Sequence, residues 1–352
     1  MKRKLLIYGG AALLLLSVSI IVSLSIGSAS ISAGSSSLSL RDVWGILMHQ
    51  LPWMNDGLSQ WNEGQIAIVM QVRLSRILLA VLVGTCLALA GTGFQGVLRN
   101  PLADPYTLGV ASGSSVGAAF MILFGYQAII GVWTIPIVAF ATGTITLLGV
   151  LWLARSSSGM QLETLILSGV VVQAFLGAFV SFMVSLSDDV VNQILFWLMG
   201  SLTMKTWEHV YMLIPFLAIG LPLLFAYGQS LNLFVLGERN ASHMGIRVER
   251  TKLIVLIGST LLTAAAVSVS GVIGFVGLVV PHLVRLIVGP DYRLIIPLSA
   301  IGGGIFVLWA DTLARMALSP KEIPLGVVTA LIGAPFFAYL LYRRKRRQEG
   351  IV

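Results

Sequence analysis

The sequence predicts an all-α polytopic membrane protein of about ten transmembrane helices with both termini cytoplasmic. Three observations predict it. Only 10% of the 352 residues are charged and 57% are hydrophobic, whereas a soluble domain carries about 25% charged residues. Mean hydropathy is +0.94, so a water-soluble fold would expose more apolar surface than water tolerates. Apolar runs near the ~20 residues that a spanning helix needs recur along the chain, which excludes a β-barrel of ~10-residue alternating strands.

The first run, 5–26, follows Met-Lys-Arg-Lys. It exceeds the usual 7–15-residue apolar core of a secretory signal, although Ser-Ala-Ser-Ile-Ser-Ala beyond it mimics a cleavage site, and it reads as a retained first helix. Further spans fall at about 76–98, 107–124, 133–154, 164–186, 209–227, 253–269, 272–288, 294–313 and 324–342. The seventh and eighth are separated only by Ser268-Val-Ser-Gly271, a break without charge. The single cysteine, Cys86, lies mid-span and reads as a packing residue. The whole chain, 1–352, reads as one transmembrane domain with two long connections. Segment 27–71 begins serine-rich, and its Trp44, Ile46, Leu47, Leu51 and Trp53 suit an amphipathic helix at the membrane interface. Segment 228–252 is polar with apolar residues at helical spacing; short helices docking on a partner and a solvated linker both fit that pattern.

Orientation follows from the basic residues. With the amino terminus cytoplasmic, 16 of the 22 Lys and Arg fall in inside segments and six outside, as the positive-inside rule requires. The high pI, near 9.9, is thus a topology signal and does not point to nucleic acid.

The chemistry such a chain can perform is limited. No lysine is preceded by glycine, so a Gly-Lys-Ser/Thr phosphate loop is absent. There is no HExxH or CxxC, and the four histidines (His49, His209, His243, His282) form no ligand pattern. These features predict no catalytic residues, no cofactor and no metal site. Transport is the reading that remains. A proton-relaying carrier places ionisable groups within its spans, but here charge sits at span ends. Asp311 and Arg315 come closest to an exception, and they lie four apart, where they neutralise each other. A sodium site built from helix carbonyls stays open.

Glycine and arginine placement adds detail. Gly109, Gly113 and Gly117 lie four apart, a small face that lets helices approach closely. Arg73 and Arg76, three apart, and Arg315 oppose the positive-inside bias at the outer surface. Both an acidic partner and snorkelling to lipid phosphate account for them.

Three segments carry a resemblance: RLSRILLAVLVGTCLALAGTGFQGVLRNPLADPYTLGVASG (73–113), SGVIGFVGLVVPHLVRLIVGPDYRLIIPLSAIGGG (270–304) and ADTLARMALSPKEIPLGVVTALIGAPFFAYLL (310–341). Together they resemble the permease subunits of ATP-binding-cassette importers for iron–siderophores, cobalamin and haem. The resemblance implies the vitamin B12/iron-siderophore permease fold in a bacterial cytoplasmic membrane. It implies a homo- or heterodimer with a second permease subunit, two separate ATPase subunits, an extracytoplasmic solute-binding protein and a metal-chelate substrate. It implies that Arg73, Arg76 and Arg315 dock the binding protein, and that Asn100 and Leu102, with Leu162 and Glu163, contribute to a cytoplasmic gate. It implies further that Ala241, Met244 and Gly245 sit near the ATPase groove. Ser75 departs from the proline usual between the paired arginines, and Met244 stands where leucine is usual.

Overall fold

A computed structural model describes residues 2–26, 40–49, 61–126, 129–156, 159–187 and 189–348. The described residues are helical apart from turns and a two-residue antiparallel pairing of Arg155–Ser156 with Gly159–Met160. In order the helices are α1 (Lys2–Ser25), α2 (Leu40–His49), α3 (Glu63–Ala67), α4 (Ser75–Leu98), α5 (Val110–Leu123), α6 (Thr134–Leu153), α7 (Leu162–Ser185), α8 (Val191–Leu198), α9 (Trp207–Phe234), α10 (Glu238–His243), α11 (Val248–Ser270), α12 (Val276–Val288), α13 (Tyr292–Met316) and α14 (Leu325–Gln348). Among the described residues, seven helical stretches are long and apolar enough to cross a membrane, and three shorter apolar helices lie within α5, α12 and α14. They follow the order of the ten expected spans.

The centre of the bundle is α4. Its sequence alternates bulk with Gly84, Ala88, Gly91, Gly93 and Gly96, and nearly all of it is buried. A methyl on Gly84 would overlap the Gly303 backbone of α13, and one on Gly91 would overlap Gly277 of α12. Close backbone approach of this kind is how helices gain van der Waals contact in lipid, where hydrophobicity does not drive association. Gln95 donates to the carbonyls of Gly277 and Leu278, both at 3.2 Å, and ties α4 to α12. Against this centre, α1 lies on the outside of α13, joined by Ser23–Thr312 (2.8 Å) and Trp309–Ser19 (3.1 Å). Gly113 and Gly117 of α5 face Thr146 and Thr142 of α6 with no room for a side chain. Gly109 differs: at φ +75° it makes the left-handed turn that starts α5.

Four features depart from the expected spans. The helix at the second span begins earlier, because α3 and a π-helical turn (Ile68–Leu74) run directly into α4. It therefore uses residues 63–71 of the expected outer segment. Likewise α9 continues to Phe234 and α11 starts at Val248, so the expected inner segment is mostly helix. In the opposite sense, α5 and α12 have 14 and 13 residues, about 20 Å against a hydrocarbon core of ~30 Å. Irregular backbone completes these two crossings, and it is satisfied within the protein. Tyr106 Oη donates to the Ile273 carbonyl (2.9 Å), Ser201 N to Ser270 O (2.8 Å), Leu325 N to Gly200 O (2.9 Å) and Gly326 N to Met199 O (3.0 Å). Non-helical backbone at membrane depth survives only when paired in this way. Finally, α8 was not expected: eight residues, VNQILFWL, are too few to register as a span.

Within the outer segment, α2 buries Val43 and Ile46 and leaves Trp44 and Met48 partly exposed. The Trp61 indole donates to Asp42 (3.1 Å) and its ring covers Gly45. Leu51 and Trp53 lie outside the described residues.

Candidate functional site

The end of the bundle that is outer in the predicted orientation carries a compact charge cluster. The first turn of α4 supplies Arg76, the last turns of α13 supply Asp311 and Arg315, and the following loop supplies Glu322. Asp311 is fully buried and sits between the two arginines. It accepts from Arg76 Nε at 3.1 Å and Nη2 at 2.9 Å, and from Arg315 Nε at 3.0 Å. Arg76 reaches Glu322 with its other edge, Nη1 to Oε1 at 3.0 Å and Nη2 to Oε2 at 2.9 Å. One guanidinium thus binds two carboxylates bidentately, the geometry arginine favours. Arg315 adds contacts to Ser23 (3.3 Å) and Thr312 (3.4 Å). Burial pushes the Glu322 carboxyl up. The hydrogen bonds from Arg76 and the Thr203 hydroxyl, with the charges of Arg76 and Arg315, outweigh burial and hold it below its ordinary value.

Of the three arginines singled out in the sequence, Arg76 and Arg315 therefore share one carboxylate. Arg73 stands beside them, donating to the Leu24 carbonyl at the end of α1 (3.3 Å), and it pairs with no carboxylate among the described residues. Two arginines against two carboxylates make the cluster neutral, so Arg73 supplies its net charge. The i,i+4 spacing disclosed Asp311–Arg315. Sequence reasoning missed Arg76–Asp311 and Arg76–Glu322, which join residues 235 and 246 apart.

At the opposite end, the turn after α4 is built on side-chain caps. Arg99 closes α4 in the left-handed region, φ 50°. Asn100 Oδ1 accepts from Leu102 N (3.0 Å), and Asp104 Oδ1 from Tyr106 N (2.8 Å), both Asx turns. Burial pushes the Asp104 carboxyl up to about 6 despite the Tyr106 amide. Leu162 and Glu163 open α7, where Glu163 is exposed and suits a helix start. No described hydrogen bond or ion pair joins them to Asn100 or Leu102; the two elements meet further along, where Thr107 backbone packs on Gly169. Ala241 in α10 is fully buried, Met244 is 61% exposed, and Gly245 adopts φ +86° with open space around it. Glu238, which sequence reasoning missed, opens α10 and pairs with both Lys252 and Arg99.

Between the two ends, α7 has a largely uncovered flank. Leu167 and Phe175 are 64% and 69% exposed, and Gln173 is exposed mid-helix. His282 packs edge-on against Phe337 of α14. Among the described residues no three His, Cys, Asp or Glu side chains converge to hold a metal ion.

A family model described as the FecCD transport family matches residues 15–343, from within α1 into α14. The chain belongs to that family. It is 45% identical over 280 residues to the cobalamin import system permease protein of Halobacterium salinarum, covering 80% of this chain and 74% of that one. It is 37% identical over 339 residues to the hemin transport system permease protein of Yersinia pestis, covering 94% and 95%. A solved structure described as an inward-facing metal-chelate type ABC transporter superposes with a TM-score of 0.79 at 33% identity, covering 96% of this chain and 99% of that one. These matches span the irregular crossings as well as the long helices.

Proposed function

We propose that this chain is the permease subunit of an ATP-binding-cassette importer that carries an iron(III)–siderophore across a bacterial cytoplasmic membrane. Cobalamin and haem are the alternatives within the class, since the named relatives are permease proteins of a cobalamin import system and a hemin transport system. The observation that carries the reading is the open flank of α7. A membrane-embedded amide such as Gln173 is costly against lipid and is kept for a purpose. Opposite a second permease subunit, identical or related, that flank encloses a path that a bulky chelate can follow. The apolar, uncharged spans leave chelate selection to the solute-binding protein.

In this reading ATP is hydrolysed by two separate ATPase subunits, which dock on α10 through Ala241, Met244 and Gly245. The turn at Asn100 and Leu102, with Leu162 and Glu163, forms the cytoplasmic gate. Arg73, Arg76 and Arg315 receive the binding protein. The test is reconstitution: proteoliposomes holding this permease with its ATPase take up ferric siderophore only when ATP and binding protein are supplied. Uptake by the permease alone would instead establish a self-sufficient secondary carrier.

A further inference from the structure

The carboxylate of Glu238 binds two cations of unequal character. Its Oε2 accepts from Lys252 Nζ at 2.6 Å, and its Oε1 accepts from Arg99 Nη2 at 3.4 Å. The Lys252 side chain is 3% exposed, whereas that of Arg99 is 41% exposed. A desolvated ammonium is costly to leave without its partner, so the short bond fastens α10 to the start of α11. The long bond is half in water, where an ion pair has little net strength and forms or breaks at small cost.

What the weaker bond joins is specific. Arg99 is the last cap of α4 and directly precedes Asn100 and Leu102. Among the described residues, the Glu238–Arg99 contact is the only hydrogen bond or ion pair between α10 and the turn 99–109. The far side of that turn is fixed to two other elements. Tyr106 Oη donates to Ile273 O at 2.9 Å, and the Thr107 carbonyl lies so close to Gly169 of α7 that a methyl there would overlap it. A continuous route therefore runs from α10 through the ion pair into the turn, and from the turn into the backbone of α7.

We propose that the Arg99–Glu238 ion pair is the switchable link that carries movement of α10 to the gate turn and on to α7, with Lys252 holding the carboxylate in place. Glu238 and Arg99 are positioning residues that touch neither chelate nor nucleotide. The proposal rests on the importer reading above and deepens it, since it names the residues that connect ATPase docking to the gate.

The experiment uses the assembled importer, permease with ATPase and binding protein, and measures chelate imported per ATP hydrolysed. Arg99→Asn removes the charge, yet asparagine tolerates the left-handed backbone at this position; Arg99→Lys keeps the charge. Arg99→Asn is expected to assemble and to hydrolyse ATP while import per ATP falls at least about fivefold, the lower range of coupling between sites. Arg99→Lys is expected to retain most of it. Because Glu238→Gln alone strands Lys252, the second variant is Glu238→Gln with Lys252→Met. It is expected to show the same loss, and adding Arg99→Asn to it is expected to cause no further loss. Normal import per ATP in Arg99→Asn, or additive losses in the combined variant, would overturn the link while leaving the importer reading intact. A wild-type complex without ATP-driven uptake would overturn both.

Discussion

Asp311 is the residue on which the outer cluster depends, and replacing it tests the arrangement directly. Asp311→Asn preserves shape but removes the charge that lies between Arg76 and Arg315, and it turns an amide NH2 toward a guanidinium. The two arginines do not suffer equally. Arg76 keeps Glu322 through two bonds of 3.0 and 2.9 Å. Arg315, with a side chain 7% exposed, keeps only hydroxyl contacts at 3.3 and 3.4 Å. Removing one partner of a buried pair costs about 3–5 kcal/mol, because the other charge stays buried and unpaired. With only one arginine stranded, the lower end applies, about 3 kcal/mol. At roughly 2 °C per kcal/mol for a long chain, the apparent melting temperature should fall by about 6 °C. The assay is heating in detergent followed by size-exclusion of the surviving folded fraction. A companion variant, Asp311→Asn with Arg315→Met, removes the stranded charge and should recover at least about half of that loss, because contacting residues are not additive. A shift under about 1 °C for Asp311→Asn, or a companion variant worse than both single variants combined, would refute the account.

Other consequences can be measured as simply. Arg73→Glu should weaken binding-protein capture by the reconstituted importer without lowering thermal stability, whereas Arg315→Glu, which sets a second carboxylate against buried Asp311, should lower both; equal thermal losses would contradict the assignment of net charge to Arg73. Gly91→Val should prevent accumulation of folded protein, because its side chain overlaps the Gly277 backbone, and normal yield on size-exclusion would contradict the close packing of α4 on α12. Asp291, at the start of α13, is held at about 2 by the Arg293 hydrogen bond, against burial, with help from Asn232. A depressed carboxyl stabilises above its unfolded value of 3.8 and loses that contribution as pH falls toward about 2. Unfolding midpoints of wild type should therefore drop between pH 4 and pH 2 more than those of Asp291→Asn, and parallel curves would refute the linkage.

Much of the fold is legible in the sequence because a lipid-embedded helix must be apolar along its whole length. Hydropathy therefore finds the seven helices long enough to cross and the three shorter apolar ones among the described residues, including Leu325–Leu340, whose neighbours are charged. It cannot distinguish helix from buried irregular backbone, since both are apolar. The runs 107–124 and 272–288 read as full spans, although residues 105–108 form a 3-10 turn and 271–275 no helix at all. Their pairing partners, Tyr106 with Ile273 and Ser201 with Ser270, are remote in sequence and leave no periodic trace. The candidate site divides in the same way. Spacing of three or four on one helix disclosed Arg73 with Arg76 and Asp311 with Arg315. The contacts that fix these groups, Arg76 with Asp311 and Glu322, and Glu238 with Arg99, cross between helices and emerge only when the chain is folded.

The outer cluster also changes what the count of outside arginines means. Three cations at one surface predict strong attraction for an acidic partner, but two of them are already bound to carboxylates. Those carboxylates are not equivalent. Asp311 is fully buried and holds both arginines, so a docking partner cannot reach it, whereas Glu322 is 31% exposed on a loop and holds only Arg76. A carboxylate arriving from outside therefore meets Arg73 first, and gains Arg76 only by taking the place of Glu322. Exchange of one bidentate carboxylate for another is nearly balanced in energy, because Arg76, 12% exposed, is already largely desolvated. If the proposed docking occurs at this surface, it would draw its strength from Arg73 and from surface fit, and the Arg76–Glu322 exchange would accompany the partner's arrival. Because Glu322 lies in the loop that leads into α14, and Arg76 in the first turn of α4, that exchange falls at the junction of two spanning helices.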